Sequence, residues 1–363
     1  MKSLLRLLLK SQHQRNLSGP AQTDKGMTLV ELLVGAIMAF LILTPMLAFV
    51  VDMLNTDRRE QVKSNTEQDI QAAVDFIAQD LSQAIYIYDN IDINGGTRGT
   101  VTVTGIKSQL PEFNDPTKIP ILVFWKRQQI KSSVPINNSI TTPKNCNANA
   151  ISCNDTYVLS LVAYYQFKDN EATWCQPSGG TGGNCPTRIA RYEIRDGVRK
   201  PDPVASDNNL PYYNVIDTNP DTQQPDPAFN KDFDLSKPTE NVTIPDQLKN
   251  GSSGATKPQV LVNYIDHTTP GPTLSATECK TALGNPTDPK DTTKLLDEGT
   301  LQVSDGATNS FYACVDTGRN IARVTIRGNS LRRLQADALY NPNNSAYFPT
   351  ATVQVQGLGA RGE

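Results

Sequence analysis

The stretch "GMTLVELLVGAIMAF" (residues 26–40) carries one glutamate, Glu31, at the front of an apolar run that continues to Val51. Leu32 to Val51 is 20 residues without a charge. As a helix such a run spans about 30 Å, the thickness of one bilayer core. A carboxylate at the centre of a bilayer costs about 2.5–3.5 kcal/mol on insertion scales. Glu31 therefore calls for a partner, and the identity of that partner decides how the chain is read.

The charges flanking the run are lopsided. Residues 1–26 hold Lys2, Arg6, Lys10, Arg15 and Lys25 against Asp24 alone, a net of +4. The remainder holds 29 basic and 36 acidic residues, a net of −7. A basic head before an apolar run stays in the cytoplasm under the positive-inside rule, which puts the acidic remainder across the membrane. The pair Arg58–Arg59 weakens this asymmetry without reversing it. An acidic exported part offers no basic face, so no nucleic-acid partner is expected. Composition agrees: 363 residues, 38% hydrophobic, with 23 Gly and 24 Pro, describe a loop-rich globular chain rather than a polytopic membrane protein. Three plainer readings compete. A secretory signal peptide would have a shorter apolar core. A plain signal anchor gives Glu31 no purpose. A buried core helix explains neither the basic head nor the length.

The residues Lys25-Gly26-Met27-Thr28-Leu29-Val30-Glu31 resemble the processing site of type IV prepilins and pseudopilins. The resemblance implies that a prepilin peptidase cuts after Gly26 and methylates the new amino terminus at Met27, which stands where the family more often has phenylalanine. Glycine suits the position before the cut, because a backbone without Cβ enters a tight protease cleft in extended form. The resemblance also implies a filament-assembly role for Glu31, the fifth residue of the mature chain. Its carboxylate would lie against the Met27 ammonium of a neighbouring subunit, an ion pair formed in low dielectric.

The helical pattern outlasts the apolar run. Pro45 is expected to bend the helix rather than end it. Beyond Asp52, Val62, Ile70, Ala73, Val74, Ile77, Leu81, Ala84, Ile85 and Tyr88 recur at spacings of three and four. Asp57, Arg59, Glu60, Glu67, Asp75 and Asp80 are read as filling the solvent side. One helix from Met27 to Tyr86, about 90 Å long, is expected. Its residues 27–54 form a transmembrane or filament-core half and 55–90 an amphipathic half, after a cytoplasmic leader at 1–26.

Residues 91–363 read as the exported head. From about residue 98 the period changes from 3.6 to 2. Strand candidates are 99–106, 119–126, 156–167, 187–197, 258–266, 310–316, 321–328 and 350–357, each bounded by Gly, Pro, Asn or Asp. A long helix followed by short, mostly antiparallel strands predicts an α+β fold, with a sheet laid on the amphipathic half of the helix. Residues 198–257, rich in Pro, Asp, Asn and Thr, read as a loop-rich insertion ordered in part by Leu210, Tyr212, Tyr213, Val215 and Phe233. No D-x-D-x-D-G loop occurs there, so its aspartates predict no calcium site.

All six cysteines follow residue 145: Cys146, Cys153, Cys175, Cys185, Cys279 and Cys314. An even count confined to the exported part suggests disulfides. Of 15 possible pairings, the spacing favours Cys146–Cys153 and Cys175–Cys185 as local loops, leaving Cys279–Cys314. With no CxxC or CxH and only His13 and His267, no metal or cofactor is expected.

No catalytic set stands out: G-x-S-x-G and HExxH are absent, and His267 beside Asp266 lacks an evident nucleophile. The chain is read as a non-enzyme. No GxxxxGK[ST] loop is present, so any assembly ATPase is a separate protein. The strand order "VAYYQFKD…TRIARYEIRDGVRK" followed by "QVLVNYID" resembles the large minor pseudopilins of the GspJ and PilW type. With "FYACVDTGRNIARVTIRGN" and "YFPTATVQVQG", it is also similar to the pseudopilins of hormogonium polysaccharide secretion in cyanobacteria. These resemblances imply a minor pseudopilin in a type IV pilus-like or type II secretion-like filament. Its partners would be major and minor pilins, an inner-membrane assembly platform and a polysaccharide cargo. The chain would cross the inner membrane once, with its head in the periplasm or on a surface filament. A head of about 275 residues is bulky for repeated packing and suits low copy number at a tip. Two alternatives stay open. One is a membrane-anchored periplasmic enzyme or sugar-binding protein, with Trp125, Tyr164, Tyr165, Trp174 and Tyr192 as stacking surfaces. The other is a minor pilin of the main pilus, acting in adhesion or DNA uptake.

Processing is directly testable. Mass spectrometry of the membrane fraction should find a chain beginning at Met27 with a methyl group on its nitrogen. Gly26→Val should block that cut and leave the head folded. An uncut leader in wild-type cells would overturn the prepilin reading.

Overall fold

The computed structural model describes residues 28–135, 153–176, 185–199, 212, 225–243, 257–288 and 291–359. The chain divides into two compact units, Met1–Asp57 and Arg58–Glu363. Helix α1, Leu29–Ser82, runs through the boundary between them.

In the first unit every described residue is exposed. The helix there is rich in Leu, Met and Ala, which lose little freedom in a helix. It continues through Pro45, whose missing N–H removes one rung of the ladder, and Thr44 Oγ1 donates to the Phe40 carbonyl one turn back at 2.7 Å.

In the second unit the helix is one-sided. Thr66, Ile70, Ala73, Val74, Ile77, Asp80 and Leu81 are buried, at spacings of one, three and four, while Arg58, Arg59, Glu60, Glu67 and Asp75 face water. Asp80 corrects the expectation that it lies with the solvent-facing charges. The helix also ends sooner than its apolar spacing suggests. After Ser82 the chain enters strand β1, Ala84–Ile87, so Ala84, Ile85 and Tyr86 are not helical. "AIYIY" satisfies a helical and an extended pattern alike. Its β-branched and aromatic residues favour the strand once the strand Lys118–Pro135 is there to pair with it.

Beyond β1 come α2 (Asn90–Asn94), β2 (Gly96–Arg98), β3 (Val101–Val103), β4 (Lys118–Pro135), β5 (Cys153–Phe167), β6 (Thr187–Arg195) and β7 (Gln259–Ile265). Then follow α3 (Glu278–Ala282), β8 (Thr287–Asp288), β9 (Asp291–Leu295), α4 (Glu298–Leu301), β10 (Gln302–Val303), β11 (Phe311–Asp316), β12 (Ile321–Arg327) and β13 (Thr350–Gln356). The fold is thus α+β, with a long helix on antiparallel sheet. Two main sheets are present where one was expected. The first has the order β1-β4-β5-β6-β7 and the second β10-β11-β12-β13. A bridge between Ile265 and Gly328 joins them at one end. At the other, Asn320 Nδ2 donates to the Ala84 carbonyl at 2.9 Å. Gly357 lies so close that a Cβ on it would come within 2.3 Å of the same carbonyl oxygen.

Side chains alternate across a strand. On the first sheet Phe124, Tyr164 and Arg191 share the face toward α1, and Trp125, Tyr165 and Tyr192 share the other. Both faces are covered, which is why Ile121 to Trp125 are all fully buried. The cover on the second face includes part of the insertion. Phe233 stacks on Trp125 with ring centroids 4.1 Å apart, and Phe229 meets it edge-on. Trp125 Nε1 donates to the Tyr88 hydroxyl at 2.8 Å. Tyr212 is buried as well, its hydroxyl donating to Asp196. Leu210, Tyr213 and Val215 lie outside the described residues.

Asp80 is the polar centre of the packing. It accepts from Lys126 Nζ (2.9 Å), Arg191 Nε (2.7 Å) and the Tyr164 hydroxyl (2.6 Å), one group from each of β4, β6 and β5. Glu193 lies 3.2 Å from Lys126 and 2.8 Å from Arg191, closing a cluster of two acids and two bases. Burial alone would raise the Asp80 pKa. Arg191, Lys126 and Tyr164 outweigh it and hold the carboxyl below its usual range.

Asp80→Ala should therefore cost about 3–5 kcal/mol in urea denaturation, because it leaves buried positive charge unmatched. A lowered folded pKa stabilises the head above the unfolded carboxylate value near 3.9. That contribution is lost as pH falls from there through the folded value. The wild type should lose stability steeply over this acid window, and Asp80→Asn should flatten the slope. An unchanged slope would remove Asp80 from the account.

Candidate functional site

The start of α1 is set by Thr28. Its carbonyl accepts from Glu31 N at 3.0 Å and Leu32 N at 3.1 Å, and its hydroxyl accepts from Glu31 N at 3.3 Å. Thr28-Leu-Val-Glu31 has the S/T-x-x-E spacing of a capping box, and the hydroxyl half of that box is formed. A carboxylate in the first turn also suits the helix dipole. The sequence signal for this was present in the spacing, and it gives Glu31 a local role beside the intersubunit one. Gly26 and Met27 lie outside the described residues.

From Leu29 to Leu54 eighteen large apolar side chains are each at least 47% exposed, and they point to all sides of the helix. Burying one such side chain is worth roughly 1.5–3 kcal/mol, so the stretch as a whole forgoes tens of kcal/mol when bare in water. Among the described residues, this is the one helix long and apolar enough to cross a membrane.

The cysteines and aromatics sort by burial. Cys175–Cys185 and Cys279–Cys314 are disulfides. The second ties α3 to β11 inside a small core with Leu283, Leu301 and Tyr312. Cys146 and the side chain of Cys153 lie outside the described residues. Trp125, Tyr164, Tyr165 and Tyr192 are buried core residues, with no face free for a sugar. Trp174 is half-buried and lines a cavity.

His267 and Asp266 do not form a working pair. Asp266 Oδ2 accepts from Arg327 Nε at 2.9 Å, and its Oδ1 accepts from the Thr268 hydroxyl at 2.6 Å. Both ring nitrogens of His267 are buried without a hydrogen-bond partner, and burial lowers its pKa. Among the described residues, no group of three or more His, Cys, Asp and Glu is placed to hold a metal ion.

No family description, no curated protein and no solved structure matches this chain.

Proposed function

We propose that the protein is a minor pilin or pseudopilin, a low-copy subunit of a type IV pilus-like or type II secretion-like filament. One observation carries the reading. Helix α1 is apolar on every side for its first half, with one carboxylate at its start, and then becomes one-sided as a structural member of the head. A soluble domain has no use for the first half. A simple anchor has no use for Glu31 at the beginning of it.

In this reading the leader is removed by a prepilin peptidase, and α1 waits in the inner membrane with the head outside. An assembly platform driven by a separate ATPase then moves α1 from lipid into a bundle of neighbouring pilin helices. Both environments cover the eighteen apolar side chains. Only the bundle supplies an ammonium group for Glu31, on the Met27 of a neighbour. The head is bulky for repeated packing along a shaft, which favours a place at or near the tip. The resemblance of its sequence motifs to hormogonium polysaccharide-secretion pseudopilins favours polysaccharide export in support of surface motility as the process served.

Glu31→Gln separates the two roles of that residue. Glutamine keeps the capping-box geometry and loses the charge. The variant should insert in the membrane normally and be strongly depleted from sheared filaments. If it enters filaments like wild type, Glu31 is a helix cap and the ion-pair assignment fails. Deleting the gene should reduce secreted polysaccharide and motility while intracellular sugar synthesis continues. Loss of surface pili and DNA uptake with normal secretion would assign the subunit to the main pilus instead.

A further inference from the structure

The head contains a cavity of about 590 Å³ between the second half of α1, strand β7 and the turn that carries Trp174. That volume lies in the range of small-molecule sites. Three aromatic side chains line it, Phe76, Trp174 and Tyr264, along with the planar amides of Asn263 and Gln176. The charged groups on its wall are Asp69 and Arg333, and they are paired with each other. The cavity is therefore lined by aromatic and amide residues, with no unmatched charge.

Its walls are held in place by a set of polar and cation–π contacts. Each ring has a guanidinium against it: Arg191 at 5.7 Å from the Phe76 centroid, Arg188 at 5.9 Å from Trp174 and Arg333 at 4.4 Å from Tyr264. The Trp174 carbonyl accepts from Asn263 Nδ2 at 3.1 Å, and the next residue is fixed by the Cys175–Cys185 disulfide. The Gln176 carbonyl accepts from Arg332 Nη1 at 3.1 Å. Tyr264 has φ of 59°, a left-handed backbone that a bulky residue rarely adopts and that clusters at binding sites. Asn263 Oδ1 is buried with no hydrogen-bond partner, an acceptor whose need the protein leaves unmet.

We infer that this cavity is a binding site for a neutral carbohydrate, a segment of one to three sugar rings. A pyranose presents a C–H face and a rim of hydroxyls that both donate and accept. Aromatic faces take the first, and planar amides take the second at fixed angles. A charged ligand would have to break the Asp69–Arg333 pair. A purely apolar ligand would make no use of the Gln176 amide. The inference stands apart from the filament reading: an unprocessed chain would still bind sugar, and a processed chain that binds none would lose only this site.

The test uses the full-length chain in a detergent without a sugar head group. The probes are neutral cello-, malto-, chito-, manno- and galacto-oligosaccharides of two to four rings, titrated by calorimetry and tryptophan fluorescence. The chain has two tryptophans, and Trp125 is fully buried, so a fluorescence change reports Trp174. At least one series should bind and shift the emission. Trp174→Ala should weaken that binding by about tenfold or more with the Cys175–Cys185 disulfide intact. Phe76→Ala, at a residue 38% exposed, serves as a second variant that tolerates truncation. Tyr157→Ala, outside the cavity, should bind like wild type. No binding by any of the five series overturns the inference. So does binding that both cavity variants leave unchanged.

Discussion

The head is organised around one carboxylate. Asp80 sits on the buried stripe of α1, and the three central strands β4, β5 and β6 each extend one polar group to it. A helix lying on a sheet through apolar contacts alone can slide or rotate by a turn at small cost, because Leu, Ile and Val surfaces are nearly interchangeable. A buried charge with three directional partners permits a single register. The residues around it follow from that register: Ile77 and Leu81 fall on the sheet, Phe76 falls at the cavity, and Thr66 and Ile70 meet Gly328 near the junction of the two sheets. Replacing the cluster by well-packed apolar groups can be neutral for stability in other proteins. Its contribution here is to fix position, with net charge kept at zero by Glu193.

Much of this was legible in the sequence. The eight strand candidates each overlap a strand, 99–106 only at Val101–Val103, because each was an alternating or short apolar run with a Gly, Pro, Asn or Asp boundary. The length and apolar character of α1 were equally plain. What the sequence concealed was tertiary in origin. "AIYIY" fits either regular structure, and pairing with β4 makes the choice. Asp80 looks like any solvent-facing helix charge until Lys126 and Arg191, far along the chain, are brought to it. Tyr164, Tyr165 and Tyr192 suggest a sugar platform by composition, yet both faces of their sheet are covered. Trp174 was grouped with them, and only the cavity distinguishes it.

The beginning of α1 shows how two physical accounts can meet at one residue. Glu31 in the first turn suits the helix dipole and the Thr28 cap, which are local and cheap to satisfy. Neither requires twenty uncharged residues to follow. The proposed filament would give the apolar surface and the carboxylate one common environment, greasy throughout and cationic at one point, which a lipid bilayer alone would not.

The contact of Gly357 with Ala84 has a consequence for the order of folding. The Ala84 carbonyl, at the first strand of the head, is completed by Asn320, 236 residues later, and crowded by Gly357 beyond it. Asp80 waits 46 residues for Lys126 and 111 for Arg191. At synthesis rates of about 5–20 residues per second, a span of 236 residues is roughly 10–50 s. For that interval the Ala84 carbonyl lacks the Asn320 amide, long after Lys126 and Arg191 have been made. The end of β1 is therefore closed by nearly the last part of the chain to be made, so truncation before Asn320 would uncover the Ala84 carbonyl, among the first parts of the head to be made.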